Sequence, residues 1–184
     1  MRADLDEILL EETTIQQRLD ELARDIQRDY TGRDLMLVEV LTGSVMFIAD
    51  LLRRLPLQLR LDYIGVSSYH GATRSTGELI VTQALRLDVR GRDVLVVDDI
   101  LDTGLTLVKI REMIQKLEPR SLKFAVFLEK DIPHREGFRA DYVAFHIPNK
   151  FVVGYGLDYR ERYRNLPYVG TLKPAIYESD GSVL

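Results

Sequence analysis

The 184-residue chain has no cysteine, only three histidines and no surplus of basic residues, with 25 Lys and Arg against 29 Asp and Glu. Each shortage removes a class of protein. Without thiols the fold cannot rely on disulfides, and no metal can be held by thiolates. His70, His134 and His146 do not stand at a spacing suited to sharing a metal. A net charge of −4 lacks the basic footprint that general nucleic-acid binding requires. No apolar run approaches the ~20 residues of a membrane-spanning helix, and Met1-Arg2-Ala3-Asp4 lacks the apolar core of a secretory signal. The expectation is a cytoplasmic protein with no membrane partner. Hydrophobic residues are plentiful at 46%, enough for one α/β domain over residues 1–184 with a sizeable core.

The rest of the chain is organised around residues 94–107, VLVVDDILDTGLTL. Residues 94–97 form an unbroken aliphatic run without polar alternation, which suits a strand buried on both faces of a parallel sheet. Asp98 and Asp99 are expected to end it. From Leu107 the apolar positions Leu107, Ile110, Ile114 and Leu117 follow one helical face. Between strand and helix lies the turn Asp102-Thr103-Gly104-Leu105-Thr106, at the carboxyl end of a strand, where open α/β sheets bind ligands. A helix N-terminus offers unpaired N–H groups and partial positive charge, Gly104 permits close approach, and Thr103 and Thr106 add hydroxyls. That is a small phosphate cradle. The upstream carboxylates would repel a phosphate but would bind sugar hydroxyls or a divalent cation. A ribose 5-phosphate matches this polarity.

Three other readings compete. VLVVDD also resembles the first strand of response-regulator receiver domains, but here it begins at residue 94 of 184 and no second strand-ending aspartate follows at receiver-like distance. LDTG also resembles the aspartic-protease triplet, which belongs in an all-β fold and is not followed by a helix. A solvated acidic turn without a site is the plainest reading, and three acids in five residues between apolar elements weigh against it. As a whole, the stretch resembles the phosphoribosyl-diphosphate motif of type I phosphoribosyltransferases, and within them the 6-oxopurine (hypoxanthine-guanine) branch. Asp102 discriminates, since uracil-type enzymes and RNA-binding pyrimidine regulators usually carry tyrosine or another residue there.

Taken in order, an acidic segment precedes a helix with apolar positions Ile15, Leu19, Leu22 and Ile26, started by a Thr14–Gln17 capping box. Residues 35–41 read as a buried strand, followed by Thr42-Gly43-Ser44 and a helix over 45–55. By itself that turn reads either as a site or as a simple N-cap. VLTGSVMFIADLLR resembles the family segment that binds pyrophosphate through backbone amides, often through a non-proline cis peptide. This implies roles for Thr42 and Gly43, with Thr42 standing where the family commonly has a basic residue. Strands over 57–66 and 79–85 flank a long polar connector, 67–77, which is a lid or a hairpin tip by length alone. Ser68-Tyr69 matches the family pair on the loop that closes over the reacting centre. A strand over 122–128 leads to Lys130, usually a surface charge in such a place, but matching the lysine that donates to the purine 6-oxo group. Residues 148–159, PNKFVVGYGLDY, resemble the family's purine-binding signature. In that likeness Phe151 stacks on the base, the Val152 backbone meets its edge, Asp158 ligates magnesium near the pyrophosphate, and Arg164 contacts pyrophosphate. No reading attaches to the last dozen residues.

The resemblance, which spans about residues 8–172, implies an open, mainly parallel twisted sheet flanked by helices, with a small hood region and a mobile hairpin loop. It implies a purine salvage enzyme that transfers the phosphoribosyl group of phosphoribosyl diphosphate to N9 of hypoxanthine or guanine. Asp98 and Asp99 would hold the ribose hydroxyls and stand near Mg2+ with Asp158. Residues 102–106 would hold the 5-phosphate, and Asp102 would also act as base at N7. A homodimer or homotetramer is expected, with no nucleic-acid partner. The runner-up is an RNA-binding pyrimidine regulator, or a uracil or xanthine enzyme, of the same fold.

Overall fold

The computed structural model describes residues 1–68 and 79–178. In chain order the main elements are β1 (Leu5–Leu10), α1 (Glu12–Tyr30), β2 (Leu35–Leu41), α2 (Val45–Leu52), β3 (Leu59–Ser68), β4 (Leu79–Gln83), β5 (Asp93–Leu101), α3 (Leu105–Gln115), β6 (Ser121–Lys130), β7 (Tyr142–Ile147), β8 (Val152–Val153), β9 (Val169–Leu172) and α4 (Pro174–Glu178). Six strands form one sheet in the order β4-β3-β2-β5-β6-β7, parallel except for the antiparallel edge strand β4. The aliphatic runs of β2 and β5 lie at its centre, where both faces are covered.

Strand alternation divides the core into two layers. Leu35, Leu37, Leu95, Val97 and Phe127 point to one face, against Ile15, Leu19, Leu22 and Ile26 of α1 and Phe47 and Leu51 of α2. Met36, Val38, Val94, Val96, Phe124 and Val126 point to the other, against Leu107, Ile110 and Ile114 of α3. Fully burying each such side chain contributes roughly 1.5–3 kcal/mol. The helical face read on α1 is therefore the face that is buried. The expected α/β architecture is the one observed.

Several boundaries differ from the sequence reading. β5 does not stop at its carboxylates, because β6 continues to pair with it through Asp98, Ile100 and Leu101. Lys130 is accordingly the last residue of β6. α1 begins at Glu12, so Thr14 lies inside the first turn and the expected capping box is not the start; the helix has no side-chain cap bond there. α2 ends at Leu52 rather than at 55, consistent with Pro56, which disfavours helical backbone at Leu55. Leu117 falls beyond α3 and is 45% exposed, since the chain turns through Glu118 at φ 57°.

A second, three-stranded antiparallel sheet, β1-β9-β8, was not expected from the acidic start. Leu5 pairs with Leu172, and Leu5, Val153, Tyr163, Leu166 and Leu172 form its small core. This is the hood. Among the described residues no helix is long and apolar enough to cross a membrane.

Candidate active site

The carboxyl ends of β2 and β5 and the loop after β8 enclose a cleft of about 620 Å3. It brings together Thr42, Gly43, Asp98, Asp99, the whole turn from Asp102 to Thr106, Asp158 and Arg164, which the sequence reading had drawn from three separate stretches. Gly104 occupies the N-cap position of α3 at φ 82°, a left-handed conformation that favours glycine. It receives no side-chain cap bond, which leaves the first N–H groups of α3 available to an anion. Arg135 N–H donates to Thr103 O at 2.7 Å and anchors the turn from outside.

Asp98 is 7% exposed, and its Oδ1 accepts the Asp99 N–H at 2.9 Å. Burial, and then the neighbouring charge of Asp99, push the Asp98 carboxyl well above the usual carboxylate range. Burial raises Asp99 too, opposed in part by hydrogen bonding with Asp98 and backbone N–H groups and, less, by the guanidinium of Arg164. A buried acid beside a half-buried one is stabilised by hydroxyl donors or a cation. Gly43 makes this packing possible. A Cβ on it would lie 1.6 Å from Asp99 Oδ2, and a Cβ on Gly156 would lie 2.0 Å from Gly43 O. Gly156, Gly43 and Asp99 therefore stack with no room for a side chain between them.

The Thr42-Gly43-Ser44 turn is not a simple side-chain cap. Ser44 is fully buried, and its hydroxyl donates back to Val40 O at 2.5 Å instead of capping α2. The peptide bond between Leu41 and Thr42 is cis. On the opposite wall, Arg164 bonds Asp158 Oδ1 at 2.8 Å and Gly156 O at 2.9 Å, while Asp158 Oδ2 accepts the Glu161 N–H at 2.8 Å. Lys130 donates to Asp102 Oδ2 at 2.7 Å and its side chain is 12% exposed.

Lys130, Phe151 and Val152 do not line the cleft itself. Lys130 borders an adjoining cavity with Glu129, His134 and Phe138, and reaches the cleft through Asp102. Phe151 is half-buried with its ring edge-on to Tyr159 at 5.9 Å, and Val152 is buried in β8. The backbone of Ser68 ends β3, whereas Tyr69 and the expected lid lie outside the described residues. Ile100, Glu161 and Gly156 belong to the site and were missed. The first two read as a strand residue and a solvated charge. Gly154 and Gly156 around Tyr155 carried a usable signal, since all three adopt positive φ (100°, 101° and 50°).

Among the described residues no three potential metal ligands converge. The acids present fit a hard cation completed by substrate oxygens and water, because every carboxylate at the cleft supplies oxygen alone. Asp98, Asp99 and Asp158 are the residues that would face it.

Comparison with known proteins agrees with this geometry. A phosphoribosyl transferase domain model matches residues 7–160. A curated hypoxanthine-guanine phosphoribosyltransferase of Staphylococcus aureus is 46% identical over 179 residues, covering 97% of this chain and 100% of the relative. One from Staphylococcus epidermidis is 48% identical, covering 96% and 99%. The crystal structure of a hypoxanthine phosphoribosyltransferase from Staphylococcus aureus superposes with a TM-score of 0.92 at 47% identity, over 96% of each chain.

Proposed function

The chain belongs to the phosphoribosyltransferase family, and from that premise we propose that it transfers the phosphoribosyl group of phosphoribosyl diphosphate to N9 of hypoxanthine or guanine, in purine salvage. The observation that carries this reading is the adjacent acid pair of buried Asp98 and half-buried Asp99 beside the open N-terminus of α3, with Lys130 tied to Asp102. The names of the relatives support the 6-oxopurine reaction over the RNA-binding or pyrimidine alternatives.

In the reaction the ribose C1–oxygen bond to pyrophosphate breaks, the C1–N9 bond forms and a proton leaves the base. The N–H groups of the turn from Asp102 to Thr106 hold the 5-phosphate, and Asp98 and Asp99 accept the ribose hydroxyls. The backbone of Thr42 and Gly43, together with Arg164, Ser68 and Tyr69, receives the pyrophosphate. Lys130 donates to the 6-oxo group, Phe151 covers the ring and the Val152 backbone meets its edge. Asp102 takes the proton at N7. Because Lys130 and Asp102 bond each other, the base must exchange that ion pair for its own oxygen and N–H. Magnesium, held through Asp158 and the acid pair with substrate oxygens, would neutralise charge on the departing pyrophosphate. The chain's own task is to align the two reactants and exclude water.

Self-assembly into a homodimer or homotetramer is part of the proposal, supported by exposed Val45 and Met46 on α2 and Leu61 on β3. Sedimentation velocity tests it. The reaction itself is tested by pyrophosphate release with magnesium, phosphoribosyl diphosphate and a panel of free bases. Hypoxanthine and guanine should be turned over. Turnover confined to uracil or xanthine would overturn the assignment.

A further inference from the structure

The loop that carries Asp158 and Arg164 is preceded by Tyr155, which packs away from the cleft against Phe127. Tyr155 is 4% exposed, and its ring lies 4.7 Å from Phe127, which in turn lies 5.6 Å from Phe47 on α2. Its hydroxyl donates to Asp50 Oδ2 at 2.5 Å. Asp50 is on α2, five residues after Val45, where that helix leaves the Thr42-Gly43-Ser44 turn. It is itself held in place: Gln16 of α1 donates to Oδ2 at 3.2 Å, and Arg53 pairs with Oδ1.

The backbone around Tyr155 is equally fixed. Tyr155 N–H donates to Leu166 O at 2.8 Å and Gly156 N–H to Arg164 O at 2.9 Å, while the guanidinium of Arg164 returns to Gly156 O at 2.9 Å. Gly156 then abuts Gly43, as described above. The loop with Asp158 and Arg164 thus meets the turn at Gly43 by direct backbone contact, and one side-chain hydrogen bond, from Tyr155 to Asp50, locks the two together from behind.

We propose that Tyr155 and Asp50 are positioning residues that set the distance between the Thr42-Gly43-Ser44 turn and the Asp158–Arg164 arm, and so the half of the cleft that grips pyrophosphate. The inference rests on the reaction proposed above. Neither residue touches substrate. The phosphate cradle of residues 102–106 belongs to a different strand and helix and does not depend on this bond. Burial, and then the bond to Asp50, hold the Tyr155 phenol far above its ordinary value, so it stays a donor across the working pH range.

The discriminating experiment compares Tyr155→Phe with the wild-type enzyme, with calorimetric binding of inorganic pyrophosphate plus magnesium in one arm and of the nucleoside 5′-monophosphate product in the other. The expected result is roughly tenfold weaker pyrophosphate binding, in line with the loss of one hydrogen bond to a charged group, with 5′-monophosphate binding and KM for the base unchanged. Asp50→Asn, which keeps an acceptor for the phenol, should bind pyrophosphate nearly as the wild type, and Asp50→Ala should resemble Tyr155→Phe. Equal loss in both arms would mean general loosening and overturn the proposal, as would wild-type pyrophosphate binding by Tyr155→Phe. If the wild-type enzyme fails to use phosphoribosyl diphosphate at all, the proposed reaction fails, a result distinct from either.

Discussion

Gly156→Ala tests how tightly the cleft depends on close backbone approach. The new methyl carbon would sit 2.0 Å from Gly43 O, against an ordinary C···O separation of about 3.3 Å, so one backbone must retreat by about 1 Å. The obstacle is a carbonyl and not the end of a flexible side chain. Gly156 also adopts φ 101°, which costs a non-glycine residue about 1–3 kcal/mol. In a chain of this length each kcal/mol lowers Tm by about 2–4 °C, so a fall of several degrees is expected. The larger effect falls on catalysis, because a ~1 Å misplacement of a positioning group costs on the order of 10² in rate. Calorimetry and kcat/KM for phosphoribosyl diphosphate measure the two effects. Gly91→Ala is the control: Gly91 also has positive φ, 68°, but a Cβ there meets nothing within 4 Å, so Tm should fall while kcat/KM holds. A Gly156→Ala enzyme with wild-type kcat/KM would refute the stacking argument.

Chelation with EDTA should abolish turnover, and activity that persists undiminished would remove the metal from the proposal. Lys130→Ala should weaken the preference for 6-oxo over 6-amino purines, because an ammonium donates and cannot accept; base preference identical to wild type would take Lys130 out of the site. Asp62 lies buried in β3, where burial would raise its carboxyl but the N–H groups of Leu87, Tyr63 and Arg86 and the Arg86 guanidinium outweigh it and leave it below the ordinary value. Its stabilisation is therefore present at neutral pH and lost as pH falls through the depressed folded value, so Asp62→Asn should lower Tm at pH 7 and flatten the acid side of the Tm–pH curve. An unchanged curve would contradict that sign.

What was legible in the sequence was what local chemistry decides. Residues 35–41 read as β2 to the residue because a run of that length, apolar except at Glu39 and without alternation, has few alternatives. The cradle at Gly104 was legible for the same reason, since strand, turn and helix follow within one short stretch. β5 was cut short because Asp98 and Asp99 look like strand breakers, whereas the strand carries on pairing with β6 through Asp98, Ile100 and Leu101. β1 was missed because its partner lies at the other end of the chain, with Leu5 opposite Leu172. The contact of Gly156 with Gly43 was equally hidden: two glycines signal unusual backbone, but only the fold says what they approach. Phe151 and Lys130 were assigned to the site by likeness, and their side chains do not line the cleft.

The most direct test of the account is kcat of Asp102→Asn with hypoxanthine and guanine, measured beside calorimetric binding of phosphoribosyl diphosphate. If Asp102 takes the purine proton while Asp98 and Asp99 hold the sugar, nucleotide formation should slow by roughly 10²–10⁴ fold, the usual worth of a positioned acid or base. Phosphoribosyl diphosphate should bind almost as before, because the isosteric amide leaves the turn and its N–H groups in place. A kcat near wild type would contradict the account, reducing the turn at Asp102 to a phosphate cradle with no part in the proton transfer.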